Sequence, residues 1–281
     1  MNAIPATLDR ARRRVDTAPY WIRAGVTAWL VLLVVAPVCS LVFKGLSEGP
    51  AAFWHAVSAK GAIDALWLST WTSMIAAVVN GFMGSAIAWA LVRWDVPGRR
   101  LLAALVDLPL AIPTLVAGIL IIALFGPQTA LGGFLHRHGL DVAFARPGIV
   151  LALLFVTLPF VVRAVEPVLA ELDPAEEEAA LTLGAGRWLT FRKVLLPPIF
   201  PAIAAGMVQT FARSIAEFGS LAAVSGNIPF KTLVAPVYIL GQVEAGEPAA
   251  AAAVSILLLA VALLLQPFAA LLARRAGGRR G

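Results

Sequence analysis

Six apolar runs partition this chain: about Trp21 to Phe43, Ile63 to Val92, Leu101 to about Phe125, Gly148 to about Leu169, about Ile199 to Val224, and about Ala249 to Leu272. A bilayer core of about 30 Å needs ~20 apolar residues per helical crossing, so each run is long enough to span. Inside hydrocarbon every peptide group must find a partner within the segment or a closed barrel, which makes such runs helices. The chain therefore reads as all-α and polytopic, with about six transmembrane helices. Its 281 residues are 60% hydrophobic and 14% charged, at a mean hydropathy of +0.87, more apolar surface than one soluble core can hide. The formal charge of +6 is dispersed in short clusters beside the runs. That pattern fits lipid headgroups and membrane orientation better than a nucleic-acid surface.

The basic segment 1–20 carries Arg10, Arg12, Arg13 and Arg14 ahead of the first run. A signal h-region is roughly 7 to 15 residues, so the longer run here reads as an uncleaved span. Val38 stands where a lipoprotein cleavage box before Cys39 wants a small residue. The one cysteine excludes an intramolecular disulfide, and its apolar context suggests a buried thiol. Asn80, Gly81 and Gly84 interrupt the second run with small residues that permit close helix contact. His136 and His138 have no credible third ligand, so no metal site is expected, and neither H-E-x-x-H nor G-x-S-x-G occurs.

Two runs carry residues that a plain span would not. In the third, Pro113 lacks the N–H that would reach the carbonyl of Pro109, and Pro109 likewise deserts Leu105, so a kink or break is expected. Irregular backbone at membrane depth survives where protein or water satisfies it, which makes Asp107 to Gly118, with Pro109, Pro113 and Thr114, a candidate pathway wall. In the fifth, Arg213 and Glu217 lie four apart, hence on one helix face, with Ser220 just beyond. A charge near a helix centre costs about 2.5 to 3.5 kcal/mol. An i, i+4 pair returns only about 0.2 to 0.5 kcal/mol, so these residues need a protein-lined or watery surrounding.

Between the fourth and fifth runs, residues 171–201 form a charged insert. Asp173 suits an N-cap, Pro174 the first helical position, and Glu176 the third, which together predict a capping box. The helix should stop at Gly184, a second short helix should cover Arg187 to Leu195, and Pro197, Pro198 and Pro201 should prevent smooth continuation. Six spans put both termini on one side. That side holds most of the Arg and Lys of the termini, the 93–100 turn and this insert, including Arg274, Arg275, Arg279 and Arg280 of the tail 273–281. By the positive-inside rule it is cytoplasmic. No G-x-x-x-x-G-K-[ST] sequence cradles phosphates, so ATP hydrolysis would fall to a partner and the chain is not expected to be an enzyme by itself.

Glu178-Ala179-Ala180, three residues, Gly184, nine residues, Val194, one residue, and Leu196-Pro197 resemble the EAA loop of permease subunits of binding-protein-dependent ABC importers. Val194 replaces the usual Ile conservatively. The stretches 106–118, Pro159 to Arg163, Phe211 to Gly219 and Gly226 to Thr232 resemble the sulfate/thiosulfate branch, though molybdate permeases share some of these elements. The resemblance implies a type I importer permease (MetI-like) fold in the cell inner membrane, over 21–272. It also implies two ATP-binding subunits holding ATP and Mg, a second related permease, and an extracytoplasmic sulfate-binding protein, with no cofactor on this chain. Glu178, Ala179, Ala180, Gly184, Val194, Leu196 and Pro197 would couple to the ATPase. Asp107, Pro109, Pro113, Thr114, Arg213, Glu217 and Ser220 would line the route. An ion-coupled secondary transporter is the reading from another class, and it would need coupling-ion sites that are not evident.

Overall fold

The computed structural model describes residues 19–94 and 97–277, with the side chains of the last helix described through 264 and at 267. The expectations for Arg10, Arg12, Arg13 and Arg14, and for the side chains of Arg274, Arg275, Arg279 and Arg280, lie outside the described residues. Among the described residues there are helices and no strand. In order these are α1 (Tyr20–Leu46), α2 (Pro50–Ser58), α3 (Lys60–Arg93), α4 (Arg99–Ala111), α5 (Thr114–Phe125) and α6 (Ala130–Arg137). They are followed by α7 (Arg146–Ala170), α8 (Pro174–Thr182), α9 (Arg187–Ile215), α10 (Gly219–Val224), α11 (Ala235–Glu244) and α12 (Pro248–Gly277).

Four of these, α1, α3, α7 and α9, are long and apolar enough to cross a membrane, and the bent pair α4 and α5 makes a fifth span if taken as one. The sixth expected run is α12, 30 residues long. The core is a bundle in which α7 packs against α3 and α9, and α9 against α3 and α12. Between membrane helices, close packing replaces the hydrophobic effect as the source of cohesion, so backbones must approach. A Cβ on Gly84 of α3 would lie 2.8 Å from Val161 Cβ of α7, and one on Gly206 of α9 would lie 2.8 Å from Val161 Cα. Val161 is thus seated between two glycines on flanking helices. Asn80 interrupts nothing: α3 is continuous through it, and its buried Nδ2 donates to Leu154 O (3.1 Å) and Thr157 Oγ1 (3.0 Å) of α7. An amide in the bundle interior satisfied across two helices acts as a clamp.

Cys39 is exposed, not buried, because α1 stands at the edge of the bundle, where Gly45 is its one buried residue. The third run is two helices turned by 113°, not one kinked span. Pro109 sits inside α4 without breaking it, and the break falls at Pro113. There Ile112 is extended at φ −90° and ψ 131°, the conformation a following proline imposes on its neighbour. The prolines after the insert also act differently from expectation. Residues 187–215 form one helix of 29 residues, with a π segment at Phe191–Leu195 immediately before Pro197 and Pro198. A wider turn relieves the ring-to-carbonyl clash that would break a regular helix.

Candidate functional sites at the broken helices and the charged loop

The fifth run ends its long helix at Ile215, so Glu217 lies just past α9 and not on its face. The chain turns through Ala216 to Phe218 and re-enters helix as α10. Glu217 is 1% exposed. Its Oε2 meets Arg213 Nη1 at 2.6 Å, and its Oε1 accepts from both the amide and the hydroxyl of Ser220 at 3.0 Å. Arg213 and Glu217 therefore do pair, and Ser220 supplies the additional hydrogen bonds that a buried carboxylate needs. This break sits against the other one. A Cβ on Gly219 would strike Thr114 Oγ1 and lie 2.9 Å from Leu115 N, and one on Gly118 would lie 2.5 Å from Ser220 O. Thr114, Glu217 and Ser220 are thereby gathered where two interrupted helices touch.

Asp107 and Pro109 lie before the bend, in α4, and are not part of this cluster. Pro109 is buried in α4, while Pro113 is exposed at the bend. Asp107 faces α7, where Arg163 grips it through two bonds, Nε to Oδ1 at 2.9 Å and Nη2 to Oδ2, and approaches Glu166 with Nη1 at 3.4 Å. In the sequence Arg163 is marked only by its charge inside a span.

Helix α8 starts and stops at the residues expected. Asp173 caps α8 by accepting from Ala175 N at 2.9 Å, one residue earlier than a capping box requires. At the other end Ala185 N bonds Ala180 O, Gly184 N bonds Leu181 O, and Gly184 has φ +85°, which is a Schellman stop. Among the described residues no atom beyond its chain neighbours lies within 4 Å of a Cβ built on Gly184, so backbone conformation, not crowding, calls for glycine there. Glu178, Ala179 and Pro197 are exposed, whereas Ala180, Val194 and Leu196 are half-buried. Leu183 and Trp188 stand out at 88% and 72% exposure. The residues that hold this loop to the bundle were missed: Arg93 bonds Glu177, and Trp89 meets Phe191, which stacks on Trp188. In the sequence Arg93 counts only among the charges that orient the chain.

At the opposite end, the segment after α10 is tightly folded. Asn227 and Phe230 take positive φ, Ile228 O accepts from the amides of Lys231, Thr232 and Leu233, and Arg146 Nε donates to Lys231 O. His136 Nδ1 pairs with Asp141 at 2.5 Å and His138 Nδ1 with Phe134 O, and among the described residues no group of three or more ligands gathers.

The profile of the family described as binding-protein-dependent transport system inner membrane component matches residues 80–278, from Asn80 through both breaks and the charged loop. The chain belongs to this family. The permease is 40% identical over 238 residues to a probable sulfate transport system permease protein of Chlorokybus atmophyticus, covering 85% of this chain and 83% of that one. It is 39% identical over 237 residues to the sulfate transport system permease protein CysT of Escherichia coli, covering 84% and 86%. Among solved structures it shares its fold with the bacterial alginate ABC transporter in complex with alginate pentasaccharide-bound periplasmic protein. That match has a TM-score of 0.75 and 21% identity over 91% of this chain and 93% of that one. A second is the inward-facing MetNI methionine ABC transporter, at TM-score 0.58 and 19% identity over 81% and 99%. The all-α importer-permease fold expected from the sequence is the observed one, and the permease is an inner membrane component of a binding-protein-dependent transport system.

Proposed function

We propose that this permease is the channel-forming subunit of an ATP-driven importer of sulfate and thiosulfate. The observation that carries the substrate is its identity of about 40% to sulfate transport permeases over 84% or more of the chain. The Arg213–Glu217–Ser220 cluster supports it, because an arginine held by an internal carboxylate at a helix break can meet an oxyanion without a free buried charge.

In this reading the charged loop faces the cytoplasm with both termini, and the segment 226–232 faces the binding protein. Two ATP-binding subunits hold ATP and Mg, a second, related permease completes the route, and an extracytoplasmic protein delivers the dianion. Glu178, Ala179, Ala180 and Gly184 sit in an ATPase groove, with Val194, Leu196 and Pro197 anchoring the return into α9. Closure of the ATPase dimer moves α8 and α9 together, and the permeases swing between inward- and outward-facing states. The test is co-purification of the permease with its ATPase and binding protein, followed by identification of the anion in the latter and by uptake assays in vesicles. Sulfate or thiosulfate with ATP-dependent uptake is the expected result. Molybdate in the binding protein would reassign the substrate, and uptake by this chain alone without ATP would make it a secondary transporter.

A further inference from the structure

Arg163 lies in the last third of α7, seven residues before its end at Ala170, and 51% of its side chain remains exposed on the isolated chain. A charge costs about 2.5 to 3.5 kcal/mol at a helix centre and less toward the ends, so a cation two turns inside a span is still disfavoured against lipid. The face of α7 that carries it must therefore meet a partner subunit or water. Two cavities meet at this side chain. One, of about 330 Å³, is bordered by Leu110, Pro159, Phe160, Arg163, Ala164 and Gln209. The other, of about 380 Å³, is bordered by Arg163 together with Arg99 and Glu166 near the loop end of α7. Each is roughly tenfold larger than the ~30 Å³ share of one water.

Gln209 ties Arg163 to the cluster at the helix break, because Arg213 follows it by four residues and shares its face of α9. Gly206 of α9 abuts Val161 and Ala164, which sets Arg163 level with that glycine. Arg213 is then seven residues further along α9, an offset of about 10 Å at 1.5 Å per residue. Two arginines thus stand in file with a glutamine between them, and each is engaged by carboxylates of its own chain, Glu217 for Arg213, and Asp107 with the more distant Glu166 for Arg163.

We propose that Arg163 is a second anion-handling cation on the transport route, and that Asp107 is the internal counter-ion that prevents the anion from being retained there. The planar guanidinium fork that now takes both oxygens of Asp107 presents the same two donors to a tetrahedral oxyanion. Conduction requires that a site be attractive enough to enter and weak enough to leave. A carboxylate waiting to reclaim the fork meets both needs, because the anion exchanges with Asp107 and the guanidinium is never left bare. This inference rests on the proposed function, because it needs an oxyanion as cargo.

The test uses the whole complex in proteoliposomes, comparing ATP-driven uptake of labelled sulfate, thiosulfate and molybdate with ATP hydrolysis. R163Q should lower the ratio of anion moved to ATP hydrolysed at least tenfold, and R163K, which keeps the charge but not the fork, should fall between. D107N should still transport, with KM and kcat lowered together because the anion is held longer. If D107N is as damaging as R163Q and the exchange D107R/R163D restores uptake, the pair is purely structural and the inference is overturned. Unchanged R163Q also overturns it, while parental uptake leaves the proposed function standing. Failure of the parent complex to move any of the three anions overturns both. If R163Q does not co-purify with its partners, the comparison of R163K with D107N decides on the same criteria.

Discussion

Arg93, the last residue of α3, donates through Nη1 to Glu177 Oε2 of α8 at 3.0 Å, and its guanidinium lies 5.6 Å from the ring of Trp89. Trp89 in turn meets Phe191 edge-on at 5.6 Å, at the π segment of α9. Two neighbouring residues at the end of one long span, Arg93 and Trp89, thereby reach both arms of the charged loop. Movement of α8 relative to the bundle is opposed by an ion pair on one side and an aromatic contact on the other, which suits a connector that transmits force.

If that linkage transmits motion, E177Q should reduce uptake several-fold more than it reduces ATP hydrolysis. The pair is partly exposed, with side chains at 19% and 33%, so its contribution to global stability is small, and the melting temperature of the complex should hardly move. The exchange R93E/E177R should recover part of the lost coupling. Limited proteolysis across the loop is the accompanying measurement, with E177Q cut faster than the parent and the exchange variant intermediate.

Gly184 offers a second handle on the same loop. At φ +85° an L-residue pays about 1 to 2 kcal/mol for the left-handed conformation, while asparagine tolerates it better. G184D should insert normally and assemble, yet uncouple ATP hydrolysis from sulfate uptake, with G184N milder. Normal uptake by G184D with its ATPase partner present would remove Gly184 from the coupling machinery.

The helix stop at Gly184 was legible because a Schellman motif is local: a left-handed residue after an apolar periodic stretch is written in a few consecutive letters. The break at Pro113 was legible for the same reason, since proline acts on its own turn and its own neighbour. Its angle of 113° was not, because direction is set by what α5 packs upon, the distant α10. The continuity of residues 187–215 was hidden by the possibility of a π turn, which has no composition of its own. Arg163 and Arg93 were visible as charges, but Asp107 and Glu177, which they grip, are 56 and 84 residues away, a separation that spacing rules do not reach. The partner of Asp107 was likewise hidden, because it comes from α7 and not from the neighbours of Asp107 in sequence.

At the helix break the two partners are unequally buried: Glu217 is 1% exposed and the Arg213 side chain 36%. Removing the arginine leaves an unneutralised carboxylate inside the bundle, whereas removing the carboxylate leaves a cation that can still reach water. R213A should therefore lower the thermal stability of the complex more than E217Q, while still permitting assembly, and it should impair uptake. The double variant R213A/E217Q should regain most of the stability lost in R213A but none of the transport. Parental uptake by R213A would return Arg213 to a structural role.

The seating of Val161 between Gly84 and Gly206 makes the last prediction independent of any anion. A methyl at either glycine meets Val161 at 2.8 Å, closer than real Cβ contacts allow, and Val161 is fully buried with nowhere to retreat. Overpacking of this kind costs about 1 to 3 kcal/mol. G84A and G206A should each lower the melting temperature of the purified permease in detergent. For G84A the nearest atom is Val161 Cβ, so V161G, which removes it, should restore the melting temperature relative to V161G alone. For G206A the nearest atom is Val161 Cα, which that substitution leaves in place, so rescue there should be partial at best. Equal rescue of both would mean that the side chain, and not the backbone, sets the approach of α7 to α9.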